Sequence, residues 1–399
     1  MVSKITILLL LISLFSTRVS MGIPYAIALS IYILLIILLL RYFFKTDKSH
    51  RLRDYLPINI YSVYIAISIL CGYFVPNGYW MWKVFIINQI TLLFILFLYY
   101  FSSPYNVFYF LKKWVKYAII AFIPFSIFMT KDSYGIYLGP IIFLLIYLKH
   151  IPFKYRIVLL ILSVLACSDL GARSILFKFI PAFLLGVSLL LKIKISKRIF
   201  NFLAIIFFIT PIIFFTLGVT GIYNIFQYQN NSSKQLTQIK INKEGERVEE
   251  NLLADTRTFI YRSVLTSSVV NNSILFGTTP AKSAFVEEFD NKITRQTGRK
   301  NECGIANLYI WCGAVGVILM MFIYMQAVRL AINHSKNYSL QLLGIYIAYR
   351  WIIFWIEDIQ DPTIDNVTLY MIIAITYSKA FRNMSDKRFK LFIFNIFRK

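Results

Sequence analysis

Arg173 and Lys178 stand five residues apart in SDLGARSILFKFIPAFLLG, residues 168–186, a stretch that is otherwise almost wholly apolar. A charged side chain near a bilayer centre costs about 2.5–3.5 kcal/mol on insertion scales, so such residues face a cavity, a partner or a substrate. Arginine brings one chemistry in particular: its planar guanidinium stays charged and grips phosphate oxygens in a two-pronged fork. The competing role is structural, a stem laid along apolar surface with the head snorkelling to the lipid headgroups. For Lys178, one turn deeper, the readings are an ion pair with Asp169 or a place facing a cavity. Arg350, in GIYIAYRWIIFWIEDIQD, is a third cation inside an apolar run. It precedes Glu357 and Asp358 by about two helical turns, which argues against pairing with either and leaves cavity lining. The carboxylates Glu357, Asp358, Asp361 and Asp365 have the chemistry to hold a divalent ion or orient a sugar. A solvated helix cap is the commoner role for such a cluster.

Two more arginines lie in ADTRTFIYRSVLTSSVV, residues 254–270, which reads as a helix. Asp255 or Thr256 can cap it, Ile260, Val264, Leu265 and Ser268 form its apolar or small stripe, and Asn271-Asn272 stops it. Arg257 and Arg262 sit on this helix and diverge by about 140°, so they need not point at one group. SILFGTTPAKSAF follows, a short apolar run ending in a turn at Gly277 and Pro280. Glu287, Glu288 and Glu302 are carboxylates with the chemistry of a general base in the same region.

These residues need elements to hold them, and composition says which. With 399 residues, 58% hydrophobic and only 15% charged, and a mean hydropathy of +0.67, the chain exceeds what one soluble core absorbs. Twelve apolar blocks, at about 4–17, 22–42, 57–75, 84–102, 115–129, 135–148, 157–171, 174–191, 199–221, 304–327, 338–356 and 366–381, approach the length of a membrane span. The predicted fold is therefore an all-α polytopic membrane protein with about twelve transmembrane helices. No small-residue cleavage site follows the first block, which reads as a retained helix and not a signal peptide.

Lys and Arg concentrate in alternate gaps, which predicts both termini on the cytoplasmic side. The net charge of +24 follows from those loops, so no nucleic-acid partner is implied. The division is 1–221 for the N-terminal membrane helices, 222–303 for one large extracytoplasmic loop, and 304–399 for the C-terminal helices and basic tail. The start of that loop, QYQNNSSKQLTQIKINKEGERVEEN, is polar enough to read as only partly ordered. His50, His150 and His334 all fall on the cytoplasmic side. Cys71, Cys167, Cys303 and Cys312 have no metal or disulfide spacing. The first outer loop near residues 18–23 has no acid, so no required metal and no cofactor are expected.

In order and placement, Gly171-Ala172-Arg173-Ser174 opening one helix, DTRTFIYRSVLTSSVVNNSILFG in the large loop, and NLYIWCGAVGVILM, residues 307–320, opening the next helix resemble the O-antigen ligase and polymerase (Wzy-type) superfamily. The resemblance covers about residues 165–325. It implies a glycosyl transfer at the outer face of a bacterial inner membrane, in O-antigen, capsule or exopolysaccharide assembly. Its substrates would be polyprenyl-diphosphate-linked oligosaccharides, with a flippase and chain-length regulators as partners. Arg173, Arg257, Arg262 and Glu302 become the candidate catalytic residues, and Lys178, Arg350 and Asn307 the candidate substrate contacts. The ligase branch carries a histidine-asparagine pair where this chain reads Glu302-Cys303-Gly304-Ile305-Ala306-Asn307, which leans toward polymerase. A lipid-linked oligosaccharide flippase is the alternative from another class. Its even loops and repeated halves are not apparent in this sequence.

Overall fold

The computed structural model describes residues 1–17, 21–45, 53–169, 173–222, 237–241, 247–251, 257–283, 301–358 and 362–398. The N-terminal helices are α1 (Val2–Phe15), α2 (Tyr25–Lys45), α3 (Leu56–Gly72) and α4 (Tyr79–Leu92), the last continued by α5 (Leu96–Tyr100). Next come α6 (Pro104–Lys113) and α7 (Ile119–Phe125), joined by a π-turn, then α8 (Lys131–Tyr137) and α9 (Ile141–Ile146). Longer elements follow: α10 (Phe153–Ala166), α11 (Arg173–Leu190) and α12 (Lys197–Thr220). The large loop holds strands β1 (Thr237–Ile241) and β2 (Arg247–Asn251) and helix α13 (Arg257–Val270). The C-terminal part is α14 (Gly304–Asn333), α15 (Tyr338–Phe354), α16 (Ile364–Tyr377), α17 (Lys379–Arg382) and α18 (Asp386–Ile396).

Among the described residues, six helical segments are long and apolar enough to cross a membrane: Tyr25–Lys45, Arg53–Gly72, Tyr79–Tyr100, Arg173–Leu190, Lys197–Thr220 and Gly304–Asn333. The other six apolar blocks are helical too, but short or interrupted. Block five is interrupted by the π-turn over Trp114–Ala118, and block six is divided at Gly139-Pro140. That second division has a cause, since a Cβ on Gly139 would lie 2.6 Å from the Asp365 Cα. The chain yields there so that the first turn of α16 can come close. Two strands are described within the polar start of the large loop. β1 and β2 pair antiparallel, Thr237 opposite Asn251 and Ile241 opposite Arg247, and among the described residues they are the exception to an otherwise all-α architecture.

All of α16 is buried, as befits a helix apolar around its whole circumference. α14 and α15 pack on it and on each other, and α3, α11 and α12 close the surround. α12 turns Ile199, Phe202, Ile205, Ile209 and Ile213 outward, the surface a lipid-facing helix requires. The bundle has two distinguishable ends. At the loop end meet the starts of α11, α14 and α16 and the ends of α12 and α15. At the tail end Asn337 holds the carbonyls of Phe381 and Met384, Asp386 accepts from the Tyr338 backbone N–H, and Arg382 pairs with Asp54.

α14 is broken. Gly313 sits at φ 63° and ψ −168° in the middle of the helix, which strands backbone groups on both sides of it. The loop segment after α13 takes them up: Ala314 N–H donates to Ile274 O at 2.9 Å, Val315 N–H to Leu275 O at 3.2 Å, and Thr278 N–H donates to Ile310 O at 2.7 Å. Side chains from α3 and α4 complete the joint, Tyr64 Oη to Cys312 O at 2.6 Å and Asn88 Nδ2 to Pro280 O at 2.9 Å. Irregular backbone at membrane depth is tolerated only where protein satisfies it in this way.

Gly277, at φ 73°, faces Gly313 across the joint. A Cβ on Gly313 would come 2.2 Å from Leu275 O. Gly313→Ala is therefore expected to lose most of its correctly folded yield in detergent. This φ and ψ belong to a region that is essentially glycine-only, where another residue costs on the order of 1–3 kcal/mol, and the overlap adds to it. Gly78→Ala is the control: its φ of −168° is extended and no atom lies within 4 Å of the added carbon. Equal thermal midpoints for the two variants would contradict this account.

Candidate functional site

Ser174 and Lys178 lie one turn apart on α11 and so share a face. Both reach Glu357 Oε1 beyond the end of α15, at 3.4 Å from Ser174 Oγ and 2.9 Å from Lys178 Nζ. Lys178 Nζ also holds Asp365 Oδ2 at 2.8 Å. Arg350 places Nη2 3.8 Å from the same oxygen. Tyr346, one turn before Arg350, accepts from Arg350 Nη1 at 3.5 Å and donates to Lys178 O at 3.3 Å. Three helices thus close on a cluster of two cations and two anions. Lys178 and Arg350 are each 1% exposed and Asp365 is 3% exposed, whereas the Glu357 side chain, at 28%, reaches the surface.

Local sequence explains why the carboxylates arrive where they do. Thr363 caps α16, its Oγ1 accepting from Asn366 N–H, and Ser16 accepts from Ile364 N–H at 2.8 Å. Asp365 in the first turn also meets the positive end of the helix dipole. Glu357 is fixed through its backbone as well, since Gly304 N–H donates to Glu357 O at 3.1 Å. That bond sets the start of α14 directly on the end of α15.

This arrangement corrects three expectations. Lys178 takes Glu357 and Asp365 and not its sequence neighbour Asp169. Arg350 pairs with neither Glu357 nor Asp358, as its spacing argues, but in place of lining a cavity it reaches Asp365 across a helix boundary. Glu357 and Asp365 are structural members of a buried network and not a solvated cap. Asp361 lies outside the described residues. Opposite charges in separate apolar helices were the available signal, because such groups must find one another.

The remaining candidates spread around this end of the bundle. Arg173 is exposed on the first turn of α11, just before Ser174 and its contact with Glu357. Arg257 opens α13, and its side chain lies outside the described part, as do Glu287 and Glu288. Arg262 is exposed and donates to Gly218 O at 3.4 Å, where a cation complements the carbonyl end of α12. Tyr261 ties α13 to the end of α15 by donating to Trp355 O at 2.7 Å. Asn307 is buried, with both amide ends engaged on the Asn301 backbone at 2.8 Å. Glu302, beside it, is exposed.

The histidines stand elsewhere. His150, at the tail end, is half-buried against Tyr147. Burial, with Lys390 and Lys149 near, pushes its imidazole down to about 4, against the opposing pull of Asp386. His334 is exposed where α14 ends, and His50 lies outside the described residues. A cavity of about 370 Å³ lined by Asn383, Met384, Arg388 and Phe392 is also at the tail end, a full length of α16 from the ionic cluster. The chain matches no family model, no curated protein and no solved structure.

Proposed function

We propose that the chain is a multi-pass membrane glycosyltransferase, an oligosaccharide repeat-unit polymerase of the O-antigen polymerase kind in a bacterial inner membrane. On this reading the twelve helical blocks cross the membrane with both termini inside, and the loop end is the outer face. The observation that carries it is the position of Arg173, exposed on the first turn of α11 and next in sequence to Ser174, which contacts the ionic cluster at Glu357. A polyprenyl diphosphate is the leaving group this placement suits. The bond from the donor sugar C1 to the diphosphate oxygen breaks, the acceptor hydroxyl oxygen bonds C1, and its proton departs to a base. Negative charge grows on the diphosphate, where fixed guanidinium donors act. Glu357 is held by Lys178 and Ser174 through Oε1, and its Oε2 is buried with no protein partner among the described residues, an acceptor for a sugar hydroxyl that enters beside it. Lys178 and Arg350 then support this site from below, and Arg262 fixes its rim at α12.

The test is incubation of purified protein with lipid-linked repeat units and sizing of the glycan. A ladder of multiples is expected; unchanged single units would reject the reading. The buried ionic cluster favours one second reading, a transporter of the same lipid-linked units, because intramembrane ionisable groups also serve coupled transport. Cells lacking a polymerase accumulate single units outside, and cells lacking a flippase accumulate them inside.

A further inference from the structure

We infer that residues 269–276 of the large loop enter the leaflet on the loop side and meet its hydrocarbon chains, so that this loop is anchored in the membrane and not suspended above it. Val269, Val270, Ile274, Leu275 and Phe276 expose 61%, 75%, 45%, 59% and 67% of their surface. Large apolar side chains open to water on both sides of the exposed Asn271-Asn272 pair make an interaction surface. At the apolar centre of the segment Ile274 O and Leu275 O accept from the second half of α14, and Ser273 O accepts from Gly277 N–H. Carbonyls satisfied by protein under bare apolar side chains suit hydrocarbon.

Depth and continuity choose the occupant. Tyr64, whose hydroxyl lies 3.5 Å from Phe276 O, stands eight residues before the end of α3 at Gly72, about 12 Å along the helix. The segment therefore lies below the end of a helix long and apolar enough to span. On either side of Tyr64 the exposed face of α3 carries Val63, Ile67 and Leu70, at 60%, 53% and 66%. The loop patch continues that lipid-facing stripe. Beyond Gly277 the chain rises again, and Thr279 packs against Gly72 at the end of α3. The descent and return make a re-entrant hairpin, with α13 brought down to headgroup level by its own last turn.

The test uses the full-length chain with Cys71→Ser and Cys167→Ser, reconstituted in phosphatidylcholine and phosphatidylglycerol liposomes. A nitroxide placed by Phe276→Cys is read by electron paramagnetic resonance for collisions with molecular oxygen and with a water-soluble nickel chelate. The expected oxygen-to-nickel ratio matches that of Ile67→Cys on the lipid face and exceeds that of exposed Lys192→Cys several-fold. A ratio like that of Lys192→Cys would overturn the inference, placing the segment in water. Low access to both reagents would overturn it too, because protein then covers the patch, either a second copy or residues 284–300. If Phe276→Cys fails to insert, Leu275→Cys gives the same reading from the neighbouring position.

Discussion

Lys178→Met is expected to cost the folded protein about 3–5 kcal/mol, the penalty for removing one partner of a buried ion pair. Methionine preserves length and volume, so packing contributes little to the loss. What changes is electrical: Asp365, at 3% exposure, keeps only Arg350 at 3.8 Å, and Glu357 loses the ammonium at 2.9 Å. The lysine and Asp365 are too deeply buried for solvent to screen the loss. Asp365→Asn in the Lys178→Met background should recover part of the stability, since one cation and one anion then leave together. The measurement is the thermal midpoint in detergent of each variant alongside the parent. A Lys178→Met protein as stable as the parent would show that the cluster contributes specificity of assembly and not stability.

The second large effect concerns activity. Arg173→Lys is expected to shorten the polysaccharide ladder nearly as far as Arg173→Ala, by ten-fold or more in chain yield, at equal membrane abundance. An ammonium supplies the charge but not the planar fork that engages two phosphate oxygens at once. The two variants are compared at equal thermal midpoints as well as equal membrane abundance, which separates this result from the first. A full-length ladder from Arg173→Lys would identify the residue as a headgroup anchor, a task lysine performs equally well.

The sequence made local elements legible and long-range pairings illegible. α13 runs over Arg257–Val270, and Ile260, Val264 and Ser268 are its buried face, as periodicity and the Asn271-Asn272 stop predict. Each apolar block is helical for the same reason. The cluster was out of reach because its contacts join residues 179 and 187 positions apart, and helical spacing says nothing about which helices become neighbours. The break at Gly313 is hidden differently. The run NLYIWCGAVGVILM is apolar throughout, and the hydrogen bonds that make a break affordable come from Ile274 and Leu275, nearly forty residues earlier. Nor does polar composition reveal that Thr237–Ile241 and Arg247–Asn251 find each other as strands.

The ionic cluster also imposes a timetable on synthesis. Lys178 leaves the ribosome before Glu357 and Asp365, its partners 179 and 187 residues further on. At roughly 5–20 residues per second the wait is about 10–40 seconds. During it α11 must hold an unneutralised ammonium in or beside the bilayer, at a cost of about 2.5–3.5 kcal/mol were it to sit at the centre. The lysine's place on the second turn lowers that cost, because from there its stem reaches the headgroups on the loop side. α11 therefore has to enter the membrane in one posture and settle into another. The arrival of α15 and α16 draws the lysine inward, so helices made late decide when the earlier half of the chain takes its final form.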